Sequence, residues 1–119
     1  MANIYDKAYE FAAALVKEES YINFKQLSNK INNSPAKFEK IKAYQLKQME
    51  LFGRSEAGEE LPQEEIEALN VDYAELLEDE DIKQLFEVER QFSVILNDVY
   101  KIINEPIQEL APKGSVSEE

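Results

Sequence analysis

From Asp79 to about Asn104 the chain carries a hydrophobic pattern that only a long helix satisfies. Ile82, Leu85, Phe92, Leu96, Val99 and Ile103 follow a heptad seam broken only at Glu89, and Val88, Ile95 and Ile102 repeat every seven residues on a second line beside it. Asp79 is a good N-cap for this helix, and Glu80 and Asp81 fall in the first turn, where the helix dipole favours acids. At about 1.5 Å per residue the helix is about 37 Å long. That is close to the diameter of a compact sphere of 119 residues, so the molecule is expected to be elongated. On a helical wheel the two seams span roughly 200 degrees, about twice the stripe a single core-facing helix needs. Two seams require two neighbours. Val88, Phe92, Ile95, Leu96, Val99, Ile102 and Ile103 are therefore the candidate oligomer interface.

The remainder of the chain reads as four shorter helices. Ile4, Ala8, Phe11 and Leu15, flanked by Tyr5, Tyr9, Ala12 and Val16, place a first helix from Asn3 to about Glu18. Ser20 is the expected cap of a second, with Phe24, Leu27 and Ile31 as its face and Asn32-Asn33 as its stop. Ser34-Pro35 opens a third, because proline at the first helical position loses no needed hydrogen bond. It carries Phe38, Ile41, Met49 and Phe52 and ends at Gly53 or Gly58. Pro62 opens a fourth, with Ile66, Leu69, Tyr73 and Leu76 as a narrow seam. Pro106 is expected to end or kink the last helix, Ile107 and Leu110 to dock beyond it, and the acidic tail 112–119 to be flexible. The fold class is all-α, an elongated antiparallel helical hairpin or bundle of about five helices, with one domain over residues 1–111.

Two absences remove most chemistry. The chain has no cysteine and no histidine, so disulfides, thiolate nucleophiles, iron-sulfur ligation, cysteine zinc sites, the Ser-His-Asp constellation and the Glu-x-x-His di-iron pattern cannot be built. Carboxylate pairs such as Glu64 and Glu65, or Glu87 and Glu89, would need a cleft that gives the two groups different environments, and nothing marks one. Asp79, Glu80 and Asp81 lack the alternating spacing of a calcium loop and read as capping residues. Tyr5, Tyr9 and Tyr44 read as core or interface aromatics. The expectation is a chain that is not an enzyme, with no catalytic residue, no metal and no cofactor. No run of about 18 apolar residues exists and the N-terminal stretch lacks a basic region followed by a long apolar one, which predicts a cytoplasmic protein with no membrane partner.

Charge is the one pattern left. The net charge is −12, yet residues 25–54 hold seven basic and two acidic side chains, and residues 55–89 hold one basic and fourteen acidic. In an antiparallel pair of helices three and four the basic arm would lie against the acidic one and set the orientation of the hairpin or of a neighbouring subunit. The functional alternative takes Lys37, Lys40, Lys42 and Lys47 as a basic surface for RNA phosphates. The overall charge opposes nucleic acid, and lysines without arginine clusters or a stacking platform do not make a strong site.

Several stretches together resemble a known family: Asn3-Ile4-Tyr5-Asp6, Ser34-Pro35-Ala36, Arg90-Gln91-Phe92-Ser93, Asn97-Asp98-Val99, Ile102-Ile103 and Pro106. Over about residues 3–110 the chain is similar to the small YheA-like proteins of Gram-positive bacteria, within the wider YlbF/YmcA group. The resemblance implies a helical fold that associates into oligomers. YlbF and YmcA are regulatory proteins that act in a complex with a third protein, influence competence and biofilm development, and are linked to RNA processing through ribonuclease Y. The iron-sulfur binding of that complex relies on cysteines, which this chain lacks, so the resemblance carries no cofactor across. The last helix opens on Asp79-Glu80 where Asn-Pro is usual for the group, and Asp still caps. Together these readings predict a non-enzymatic, homo-oligomeric interaction protein or regulatory adaptor, with a protein partner, and an RNA-associated accessory protein as the alternative.

Overall fold

A computed structural model describes residues 3–112. The flexible tail expected from Pro112 lies, from residue 113 on, outside the described residues. Five helices follow one another: α1 (Ile4–Leu15), α2 (Glu19–Asn32), α3 (Pro35–Glu56), α4 (Gln63–Leu76) and α5 (Glu80–Gln108). The fold is all-α, with no strand among the described residues.

The helix ends show which local signals prevail. Asn3 caps α1, its side chain accepting from the Asp6 amide at 2.9 Å. Asp79 caps α5 as expected, its Oδ1 accepting from the amides of Asp81 and Ile82. Ser20 does not cap α2. The N-cap is Glu18, and Ser20 lies inside the helix, buried, its hydroxyl without a partner among the described residues. Tertiary packing has taken a serine that local chemistry would have placed at the helix end. Pro62 is the N-cap of α4 and not its first residue.

Gly58, not Gly53, terminates α3. Gly58 has φ +89°, the left-handed region that glycine enters without a Cβ penalty. Gly53 lies within the last turns of the helix, and a Cβ added there would meet open space, with no neighbouring atom within 4 Å. Gly53→Ala is therefore expected to raise stability by about 0.5–1 kcal/mol, and Gly58→Ala to lower it by about 1 kcal/mol, in paired urea titrations.

The last helix continues four residues past the expected end at Asn104 and runs through Pro106. Proline removes the amide that would bond to the Ile102 carbonyl, but Ile102 is exposed, so water can take that acceptor. Because the site is close to the C-terminus, few intrahelical bonds are at stake.

The helices pair antiparallel, as successive contacts show. Along α2 and α5, Phe24 meets Phe92 and Lys30 meets Asp81. Along α3 and α4, Tyr44 meets Tyr73 and Arg54 meets Glu65. The two pairs join where α2 ends, α3 begins, α4 ends and α5 begins. Ile31, Ile41, Leu76, Ile82 and Leu85 are buried there, with Phe24, Leu27, Tyr44 and Phe86 against them. Leu51 is buried further along α3. From this junction the molecule extends to 54 × 40 × 17 Å, with a radius of gyration of 19.1 Å against about 13.5 Å for a compact chain of this length.

Candidate interaction surfaces

The apolar seam of α5 divides into a covered and an open part. Val88 and Phe92 are half-buried, and the Phe92 ring meets Tyr21 and Phe24 of α2 edge to face, each at 5.8 Å between centroids. Ile95, Leu96 and Val99 are also half-buried. Ile102 and Ile103 are 63% and 54% exposed, and Ile107 and Leu110, expected to dock, are exposed as well. Helix α1 buries none of its twelve residues: Ile4, Tyr5 and Tyr9 stand open to solvent and only Leu15 is half-buried. Tyr5 and Tyr9 are thus not core aromatics within one chain. An isolated helix shorter than about 12–15 residues is marginal in water, so a helix like α1 needs a surface to lie on.

A cluster of charges locks the junction. Lys37 Nζ, on the first turn of α3, donates to Asp81 Oδ2 at 2.9 Å and lies 3.2 Å from Asp79 Oδ2, while Lys30 Nζ of α2 reaches Asp81 Oδ1 at 3.1 Å. These contacts tie three helix termini together at one point. The hydrogen bond from Lys37, followed by that from Lys30, holds the Asp81 carboxyl below its ordinary range. Burial pushes Asp79 up, but the Ile82 amide, Lys37 and the Asp81 amide together outweigh it and leave the group lowered. Both carboxylates therefore have folded-state pKa values below their unfolded values. The stability they contribute is present above the ordinary carboxylate pKa of 3.8 and is lost as pH falls through the folded values. Thermal unfolding from about pH 6 to about pH 2 should show this acid-side loss, and Asp81→Asn should shrink it while lowering the melting temperature at neutral pH.

A second lock closes the α3–α4 hairpin. The Arg54 guanidinium donates to both oxygens of Glu65, at 2.7 and 3.2 Å, and to Glu59 at 3.0 Å. The basic arm does meet the acidic arm here, as the charge pattern suggested. Arginine is suited to this position because its planar fork matches a carboxylate bidentately.

The four lysines of the candidate basic surface are not brought onto one open face. Lys37 is half-buried and held by two carboxylates. Lys40 borders a hollow of about 270 Å³ together with Asp72 and Glu75. Lys47 is half-buried and 3.9 Å from Glu50, and Lys42 lies on another side of α3 over the Phe38 ring, 6.0 Å from its centroid. The carboxylate pairs are similarly dispersed. Glu65 is bonded to Arg54, Glu87 to Arg90 at 2.9 Å, and Glu64 and Glu89 are exposed. No group of three or more His, Cys, Asp or Glu side chains among the described residues is arranged to hold a metal ion, and no helix there is long and apolar enough to cross a membrane.

The geometry defines a class: an elongated all-α protein whose open surface is apolar along two helices and whose helix ends are locked by Lys30, Lys37 and Arg54 on carboxylates. Residues 4–108 match the family model described as control of competence regulator ComK, YlbF/YmcA, and the chain belongs to that family. It is 36% identical over 104 residues to a UPF0342 protein of Symbiobacterium thermophilum, covering 87% of this chain and 93% of that one. To the UPF0342 protein YheA of Bacillus subtilis it is 32% identical over 108 residues, covering 91% and 92%. A solved structure of a protein of unknown function (DUF964) from Bacillus stearothermophilus shares the fold, with a TM-score of 0.75 at 19% identity, over 93% of this chain and 97% of the other. The resemblance seen in the sequence is thereby established as family membership.

Proposed function

We propose that this chain is a non-enzymatic, homo-oligomeric interaction protein of the cytoplasm, a regulatory adaptor whose self-association uses α1 and the distal half of α5. The observation that carries the proposal is the apolar surface left open on those two helices, from Ile4, Tyr5 and Tyr9 to Ile102, Ile103 and Ile107. The accessible surface supports it. The chain exposes 9405 Å², whereas a compact monomer of this mass exposes roughly 6,600 Å². The excess is larger than the roughly 800 Å² each partner contributes to an interface of standard size. The family description names control of a competence regulator, and a regulatory adaptor agrees with that description.

Within that proposal the seven candidate interface residues have different weights. Val88 and Phe92 lie against α2 and serve the single chain, while Ile95, Leu96, Val99, Ile102 and Ile103 offer the continuation that a second copy would cover. The reading as an RNA accessory protein is not adopted, because Lys37 is committed to two carboxylates and Lys42 points away from the other lysines. The test is the solution mass by light scattering at low and high salt. An apolar interface predicts a salt-resistant multiple of the 13.8 kDa chain mass.

A further inference from the structure

We infer that the outer side of α2 is a docking groove for an acidic amphipathic helix of a partner protein. This rests on the reading of the chain as an interaction protein and assigns a surface distinct from the one proposed for self-association. Two hollows of about 250 and 190 Å³ lie along α2 and share Ser28. The first is walled by Tyr21 and Phe24 of α2 and Phe92 of α5, the second by Phe38 and Ile41 of α3. Tyr21, Lys25, Ser28 and Asn32 are spaced by four, three and four residues, which places them on one line of the helix. That line is about 16 Å long, enough for about three turns of a docked helix.

Charge selects the occupant. The chain holds 25 acidic residues against 13 basic ones, yet no carboxylate lines either hollow, while one lysine lines each: Lys25 the first and Lys42 the second. Neither lysine is in an ion pair among the described residues, and Lys42 rests over the Phe38 ring. Elsewhere carboxylates return. The hollow on the opposite side of α2 sets Glu87 against Lys30, and the one between α3 and α4 sets Asp72 and Glu75 against Lys40, so the lysine there has carboxylates beside it. The strip is thus an apolar, aromatic-walled track with positive charge along it, on an otherwise acidic molecule.

A helix with leucine-type side chains on one face and carboxylates beside them matches that track in shape and sign. A nucleic acid strand matches it less well. The rings of Tyr21 and Phe24 meet Phe92 edge to face at 62° and 63°, forming ridges and not a row of parallel platforms for bases. A polyanion longer than the strip would also extend over the acidic remainder of the chain, while charges beyond about 10 Å of a short helix are screened at 0.1 M salt.

The test uses the full chain and a fluorescein-labelled designed helix of about 16 residues with leucine on one face and glutamate on the other, read by anisotropy. A matched probe with lysine in place of glutamate is the control. The glutamate probe is expected to bind saturably, to lose at least about tenfold in affinity on the doubly reversed Lys25→Glu/Lys42→Glu chain, and to exchange rank with the lysine probe on that chain. Both lysines are exposed, so the variant keeps its helical circular dichroism. Equal binding of the two probes, indifference to the charge reversal, or no glutamate-probe binding up to about millimolar concentration overturns the proposal. Tighter binding of a single-stranded oligonucleotide than of the probe does so too. Light scattering separates the two surfaces. A reversed variant that keeps the wild-type mass while losing the probe supports the groove, whereas one that changes mass as well assigns the groove to a second copy and overturns it. A wild-type monomer that binds the probe sustains the groove and removes the self-association reading.

Discussion

Replacing Ile82 with alanine lowers the free energy of unfolding by about 2–5 kcal/mol, the range for removing a large aliphatic side chain from a packed interior. Ile82 is 1% exposed, the most enclosed large side chain among the described residues, at the point where α2, α3, α4 and α5 converge. The buried cluster around it has only four other buried members among the described residues, so a cavity there has few neighbours that can collapse to fill it. Single domains are stable by about 5–15 kcal/mol, and the loss is a large part of that. Ile82→Val, which removes one methylene, should cost about 0.5–1.5 kcal/mol. Urea titrations followed by circular dichroism measure both, and a loss below about 1 kcal/mol for the alanine variant would mean that the junction is not the core on which the arms depend.

Exchanging Ile102 and Ile103 together for glutamate should convert the proposed oligomer into a monomer without unfolding the chain. Both side chains are more than half exposed within one chain, so two carboxylates there meet water and the fold tolerates them. Against a second apolar surface the same carboxylates would be desolvated with no cation to pair them, which costs several kcal/mol and weakens association by more than about 100-fold. The measurement is solution mass with helical content as the control. A wild-type chain that is already monomeric at about 100 μM, or a variant that keeps the wild-type mass, would remove the distal α5 face from the proposed interface.

The two variants divide the long helix into parts with different duties. Its first turns, through Ile82 and Leu85, complete the junction of the single chain, its middle is shared with α2 through Phe92, and its last turns stand open to solvent at Ile102, Ile103 and Ile107. The periodicity of α5 is continuous over all three, which is why the heptad positions could be read from the sequence while their partners could not. Hydrophobic spacing reports that a position is to be covered, and carries no information on whether the cover comes from α2 or from another molecule.

The class of fold, the five helices, the break at Ser34-Pro35 and the Asp79 cap were all determined by the sequence alone. Each depends on interactions within one or two helical turns: apolar residues at three- and four-residue spacing, a proline that cannot donate, a carboxylate within reach of the next amides. Ser20 and Pro106 behaved otherwise. Ser20 was drawn into α2, and α5 passed through Pro106, because a cap contributes only about 1 kcal/mol and a proline near a helix end breaks few bonds. Tertiary structure also decided which charges meet. Lys30 and Lys37 find Asp81 across 51 and 44 residues, and Arg54 finds Glu65 across the hairpin turn. It likewise decided that the carboxylate-free strip along α2 is assembled from α2, α3 and α5 together. Local chemistry is written in neighbouring residues, whereas a surface is made of residues that become neighbours only once the helices have packed.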